Sequence, residues 1–153
     1  MFDILLFLFE NYPQLELAPD RDTLTIKLHA AGFNTSEIEQ ALDWFSDLDS
    51  LNSTQYPASL ADHHAIRVYA PYELERIDAE SRGFLLFLQH AGVLNPLQRE
   101  WIIDRILALQ VNQISFEKIK WITLIVLWRQ NPNQDYLLLE DMLFNNGSAL
   151  AVH

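Results

Sequence analysis

Apolar residues recur along this chain at helical intervals, and the breaks between the recurrent stretches fall on Pro, Gly and Asn. Residues 2–12, FDILLFLFENY, are apolar around most of a helical circumference. Such a helix is expected to bury more than one side before Pro13 ends it. In DRDTLTIKLHAAGF, Asp22 is a suitable N-cap, and Leu24, Ile26, Leu28 and Ala31 follow at mostly helical spacing. Gly32 stands where a left-handed C′ glycine would close that helix. Asn34 or Thr35 then caps a second helix, SEIEQALDWFSDLDSL, in which Ile38, Ala41, Leu42, Phe45 and Leu48 repeat at intervals of three and four. Helix, glycine turn, helix is the outline of a helix-turn-helix.

Residues 52–65, NSTQYPASLADHHA, form a polar loop and a natural hinge. IRVYA at 66–70 alternates around β-branched residues, which predicts a short strand or extended segment. Pro71 suits the first helical position of PYELERID. AESRGFLLFLQHAGVL continues as a helix whose second half is almost wholly apolar, a pattern that predicts a central place in the core. Gly83 costs that helix about 1 kcal/mol relative to Ala and suits a close helix crossing; Gly92 ends it. Asn95 as N-cap and Pro96 at the first helical position start NPLQREWIIDRILAL. SFEKIKWITLIVLWRQNP starts at Ser115, stops before Pro132 and predicts a second central helix. DYLLLEDMLF forms a last one, ending near Gly147.

The expected fold is therefore all-α, with room for one short β element near 66–70. An acidic N-terminal helical region (1–51) with its helix-turn-helix-like hairpin leads through the 52–65 hinge. A C-terminal helical bundle (66–147) follows, then a tail (148–153).

Charge changes what the hairpin can do. The 153 residues carry a net charge of −11, of which −9 lies in residues 1–63, where Arg21 and Lys27 face eleven acidic residues. A DNA-reading helix needs Arg, Lys, Asn or Gln at phosphates and base edges. The second hairpin helix instead carries Glu37, Glu39, Asp43, Asp47 and Asp49 and no basic residue, so as a DNA reader it fails. An acidic half repels phosphate and anionic lipid and favours a basic protein surface.

Candidate chemistry is sparse. The absence of cysteine excludes disulfides, thiolate-bound metal and thiol catalysis and is compatible with a reducing cytoplasm. Asp62, His63 and His64 spell the DHHA string of manganese phosphoesterases, which need further carboxylates from several strands to hold two hard cations. No Asp-x-Asp motif beside a Gly-rich turn stands upstream, and His29, His90 and His153 are isolated, so these read as loop residues. Glu100 and Asp104 share a helical face, but Arg99 and Arg105 flank them and Arg82 could reach them, which predicts a salt-bridge network rather than an acid–base pair. Asp78 and Glu80 stand four residues from Arg82 and Arg76 respectively and invite intrahelical pairing. No phosphate loop or nucleophile motif is present, and no cofactor is expected. The N-terminal apolar run lacks a basic flank and a cleavage site, and WITLIVLW at 121–128 falls far below the roughly 20 residues that span a bilayer. A soluble, cytoplasmic protein is the expectation.

The longest informative stretch is RVYAPYELERIDAESRGFLLFLQHAGVLNPLQREWIIDRILAL. Arg67, Tyr69 and Pro71, then Glu75, Arg76 and Asp78, then RGFLLFL at 82–88, then Arg99, Glu100 and Arg105 resemble the pattern of the bacterial Smg protein family. The opening MFDILLFLFENY, AGF at 31–33 and KWITLIVL at 120–127 resemble it too. The resemblance implies a small, mostly helical cytoplasmic protein, and genes beside those for a DNA-processing protein and a topoisomerase. It assigns no catalytic residue. The gene association implied by the resemblance hints at DNA metabolism and leaves open whether that link is direct. The expected function is a non-enzymatic interaction or adaptor protein that docks on another protein. Its candidate interaction residues are Arg67, Tyr69, Arg76, Arg82, Arg99, Arg105 and Lys120. The alternative is a nucleic-acid accessory protein using the interleaved Arg and aromatic residues of the C-terminal half, with Lys118, for stacking and charge.

Overall fold

The fold is all-α in a computed structural model that describes residues 1–12, 19–51, 56, 66–130, 140, 141, 143 and 144. These residues form α1 (Phe2–Asn11), α2 (Arg21–Ala30), α3 (Thr35–Ser50), α4 (Pro71–Arg76), α5 (Ala79–His90), α6 (Pro96–Leu107) and α7 (Phe116–Gln130). Residues 140, 141, 143 and 144 are helical as well. The DHHA string, most of the 52–65 hinge and the 148–153 tail lie outside the described residues.

Most helix ends obey local chemistry. The Asn34 side chain accepts from Glu37 N–H at 2.9 Å, and Asp78 accepts from Ser81 N–H at 2.8 Å. Asn95 and Gln98 close a reciprocal capping box, at 2.8 and 3.0 Å. The cap of α2 is Asp20, not Asp22: its carboxylate accepts from Thr23 N–H. Gly32 and Gly92 take φ of 100° and 79°. Beyond them Phe33 N–H reaches Leu28 C=O, and Val93 N–H reaches Leu88 C=O. These are the six-to-one bonds of a Schellman closure.

The core is built around α7. From Ile119 to Trp128 its only residue not fully buried is Trp121, because α1, α5 and α6 all pack on it. Helix α1 contacts both α3 and α7, so its wide apolar surface is used on two sides. All five apolar positions expected on α3 are buried, joined by Trp44. On α2, Leu28 is buried while Ile26 is 69% exposed; a step of two residues turns the helix by about 200° and carries Ile26 off the Leu24–Leu28 face. No strand occurs among the described residues. Segment 66–70 alternates in exposure and ends on Ala70 in an extended conformation, with no ladder partner there.

Helices α3 and α6 are latched by a reciprocal pair. Trp44 Nε1 donates to Arg105 C=O, and Arg105 Nη1 donates to Trp44 C=O, both at 3.0 Å. The Arg105 guanidinium also pairs with Asp104 at 2.7 Å and lies 5.6 Å from the Trp44 ring centroid. Its burial makes the loss costly, since truncation leaves a buried carbonyl without its donor. Arg105→Ala should destabilise the fold by about 3 kcal/mol. Arg129→Ala, which removes a surface pair with Asp49 and a contact 5.7 Å from the Phe45 ring centroid, should cost about 1 kcal/mol. Urea unfolding of both variants at neutral pH checks the contrast.

Candidate functional site

The segment that leads into α4 sets the site. Along 66–70 the exposure alternates: Ile66 and Val68 are 89% and 80% exposed, while Arg67 and Tyr69 point toward the protein. Hydrophobicity alone would choose the opposite register. Arg67 is drawn inward by two carboxylates. Its Nη2 donates to Glu73 Oε1 at 2.8 Å and its Nη1 to Glu73 Oε2 at 3.1 Å. Its Nε donates to Glu100 at 3.0 Å. Glu73 also accepts from Ala70 N–H at 2.8 Å, which caps the first turn of α4. Glu100 accepts in turn from Arg99 Nε at 2.8 Å, and Arg99 Nη1 donates to Gln89 on α5 at 2.8 Å.

Electrostatics follow from this chain of contacts. Burial works against charge on the Arg67 guanidinium, but the bonds to Glu73 and Glu100 outweigh it and raise its pKa. Burial likewise would raise Glu73, yet Arg67 and the Ala70 amide hold its carboxyl below the usual range. The Tyr69 hydroxyl is pushed up, chiefly by burial. Its ring takes the Arg67 guanidinium at 4.8 Å and that of Arg82 at 5.8 Å from the centroid, within cation–π range.

Beside this network lies a groove of about 660 Å³ between the 66–70 segment, α4 and α5, lined by Ile66, Arg67, Tyr69, Leu74, Arg82, Gly83, Leu86, Gln89, His90 and Arg99. Four of the seven candidate residues, Arg67, Tyr69, Arg82 and Arg99, therefore meet in one place. The other three do not. Arg76 binds the carbonyls of Leu107, Leu109 and Val111 behind the end of α6, where orphan carbonyls attract a cation. Arg105 is held at Trp44. Lys120 is buried against Glu117 at 3.1 Å and the rings of Phe116 and Phe144.

Two expectations on α5 change. The helix is not enclosed: Phe84, Leu85 and Leu88 are buried, but Leu86 and Phe87 are 52% and 43% exposed. Gly83 serves no close crossing either, since a Cβ there would meet nothing within 4 Å. Arg82 does not reach Glu100 or Asp104, and among the described residues neither it nor Arg76 pairs with Asp78 or Glu80. The network expected around Glu100 and Asp104 is present, with Arg67 as the member that sequence spacing did not identify. Glu73, Leu74 and Leu86 were also missed. The outward series 83, 86, 87, 90 was the readable signal for the last. Among the described residues no cluster of His, Asp and Glu is suited to hold a metal, and no helix is long and apolar enough to cross a membrane.

Glu73 gives this network a measurable pH signature. A carboxyl whose folded pKa is depressed adds stability above its unfolded value and loses it as pH falls through the folded one. Glu73→Gln should cost about 2 kcal/mol at pH 7. The gap from the unaltered chain should stay constant down to about pH 4.5 and narrow below it. Urea titrations from pH 7 to pH 3 measure that gap.

A family model described as "Protein of unknown function (DUF494)" matches residues 1–152. A Protein Smg homolog from Nitrosomonas europaea is 48% identical over 142 residues, covering 93% of each chain. The homologue from Methylobacillus flagellatus is 42% identical over 146 residues, covering 95% of this chain and 96% of its own. That from Vibrio cholerae serotype O1 (strain M66-2) is 41% identical over 150 residues, covering 95% of each. No solved structure matches. With this similarity spread over nearly the full length of both partners, the chain belongs to the Smg protein family.

Proposed function

We propose that this Smg protein is a non-enzymatic docking protein that binds another protein through the groove beside α5. The observation that carries the reading is where apolar surface is left exposed. Of the large apolar side chains exposed among the described residues, Ile66, Val68, Tyr72, Leu74, Leu86 and Phe87 lie within 22 residues of chain. Three of them line the groove. Exposed apolar surface gathered in one place, rimmed by polar groups, is the usual mark of a protein-binding face.

The polar groups support binding better than catalysis. Glu73 and Glu100 are each engaged by arginine, which leaves neither poised to move a proton at neutral pH. Five of the six candidate cations are spent in the same way. Arg67 and Arg99 are bound to carboxylates, Arg76 to carbonyls, and Arg105 and Lys120 are buried. A surface for phosphate needs such groups free. A link to DNA metabolism, in this reading, runs through a protein partner.

Leu86→Glu places a charge on the open face while leaving the core untouched. The immobilised chain should retain a stoichiometric partner from cell extract across several salt concentrations, and the Leu86→Glu chain should lose it with an unchanged circular dichroism spectrum. Labelled single- and double-stranded DNA should give flat anisotropy at low salt. Recovery of no stoichiometric partner overturns the docking reading, and a salt-sensitive rise in DNA anisotropy transfers the function to nucleic acid.

A further inference from the structure

The outer face of α5 has a shape that selects its occupant. Gly83, Leu86, Phe87 and His90 are exposed at positions i, i+3, i+4 and i+7, one stripe of a helix. Its opposite stripe, Ser81, Phe84, Leu85 and Leu88, faces the core. Helix α5 is thus a two-sided packing element with one side covered. Gly83 stands at the head of the open stripe with nothing near its missing Cβ, so a neighbouring backbone could approach closely there. Leu74 of α4 stands across the groove from Leu86.

Charge narrows the choice further. Arg67 and Arg99 are matched by Glu73 and Glu100. Among the described residues Arg82 has only the Tyr69 ring for its charge. The groove therefore holds, among the described residues, one positive charge in excess, next to Gly83. An extended peptide adding to segment 66–70 is disfavoured. The Ala70 N–H is taken by Glu73 and the Val68 carbonyl by Arg67 Nη1, which removes ladder positions from an already short edge.

Building on the docking reading, we propose that the occupant is an amphipathic α-helix of a partner protein. It crosses α5 at Gly83, seats apolar side chains between Leu74 and Leu86, and places a carboxylate on Arg82. Its docking residues recur at i, i+3 or i+4, and i+7, as in other helix-in-groove complexes.

The test is a selection of random 16-residue peptides against the full chain, followed by anisotropy and circular dichroism with the enriched sequences. The expected binders turn helical when bound, carry an apolar stripe with an Asp or Glu, and fail to bind Leu86→Glu. Arg82→Glu should weaken them about 10-fold, and exchanging the peptide carboxylate for Lys should restore binding to that variant. Gly83→Leu should weaken binding by at least about 10-fold without lowering Tm, because the new side chain meets open space in the free chain. Binders that need Leu86 but stay extended, or ignore Arg82→Glu, overturn the helix while leaving the docking reading standing. An absence of any Leu86-dependent peptide also overturns it, and the extract experiment then judges docking on its own. A Leu86-dependent self-association in sedimentation assigns the groove to a second copy and overturns the proposal as well.

Discussion

Arg67 is the residue on which the arrangement of the open face depends. Its guanidinium joins a carboxylate on the first turn of α4 to one on α6, a bridge complemented by Arg76 of α4 on the Leu107 carbonyl at the end of α6. Placing Glu73 in a buried position and Glu100 in a largely buried one is costly unless a cation meets both. Once Arg67 turns inward to do so, the alternation of an extended chain fixes its neighbours. Tyr69 follows it inward and presents its ring to two guanidinium groups. Ile66 and Val68 are forced out into solvent. An exposed apolar rim is thus a consequence of satisfying a buried ion pair, and one of the walls of the groove is made by it.

Helices α5 and α7 show how neighbours decide the fate of similar sequences. Both carry long apolar runs. Helix α7 is sandwiched by α1, α5 and α6 and buries nearly its entire circumference; α5, among the described residues, packs chiefly on α6 and α7 and buries one stripe. A helix that is apolar all round is normally an interior helix. That α5 keeps such a surface open, with glycine where Ala would be the better helix former, runs against local stability by about 1 kcal/mol. Local rules broken without an internal reason are a feature of functional surfaces.

What was legible in the sequence is what depends on near neighbours. The Asn34, Asn95 and Pro96 starts, the Gly32 and Gly92 stops, and the buried face of α3 all follow from spacing and capping. The sequence suits Asp22 as the cap of α2, but that residue lies inside its first turn; two carboxylates stand within three residues there, and only the backbone decides that Asp20 meets Thr23 N–H. Four of the seven proposed site residues do share a groove. The charged residues misled elsewhere because their partners are distant in sequence. Arg76 turns to carbonyls more than 30 residues away, and Arg105 to Trp44 across 61. Intrahelical spacing favoured Asp78 and Glu80 as partners for Arg82 and Arg76, but exposed pairs of that kind are worth only a few tenths of a kcal/mol. A C-terminal row of carbonyls easily outbids them for Arg76.

The internal use of arginine also shapes what the protein presents at long range. Half of the eight basic residues of the C-terminal half, Arg67, Arg76, Arg99 and Arg105, are engaged by Glu73, Glu100, Asp104 and backbone carbonyls, while Glu39, Asp43, Asp47 and Asp49 of α3 stay on the surface. A partner docking as proposed would therefore meet a negative field first and, among the described residues, the one excess cation of the groove only on contact. Long-range fields govern encounter, whereas close pairs govern register once water is expelled. A helix suited to both stages carries basic residues on the side that stays in solvent and one carboxylate on the side that docks. Such a division would separate the residues that speed association from the one that fixes where, along α5, the proposed helix would come to rest.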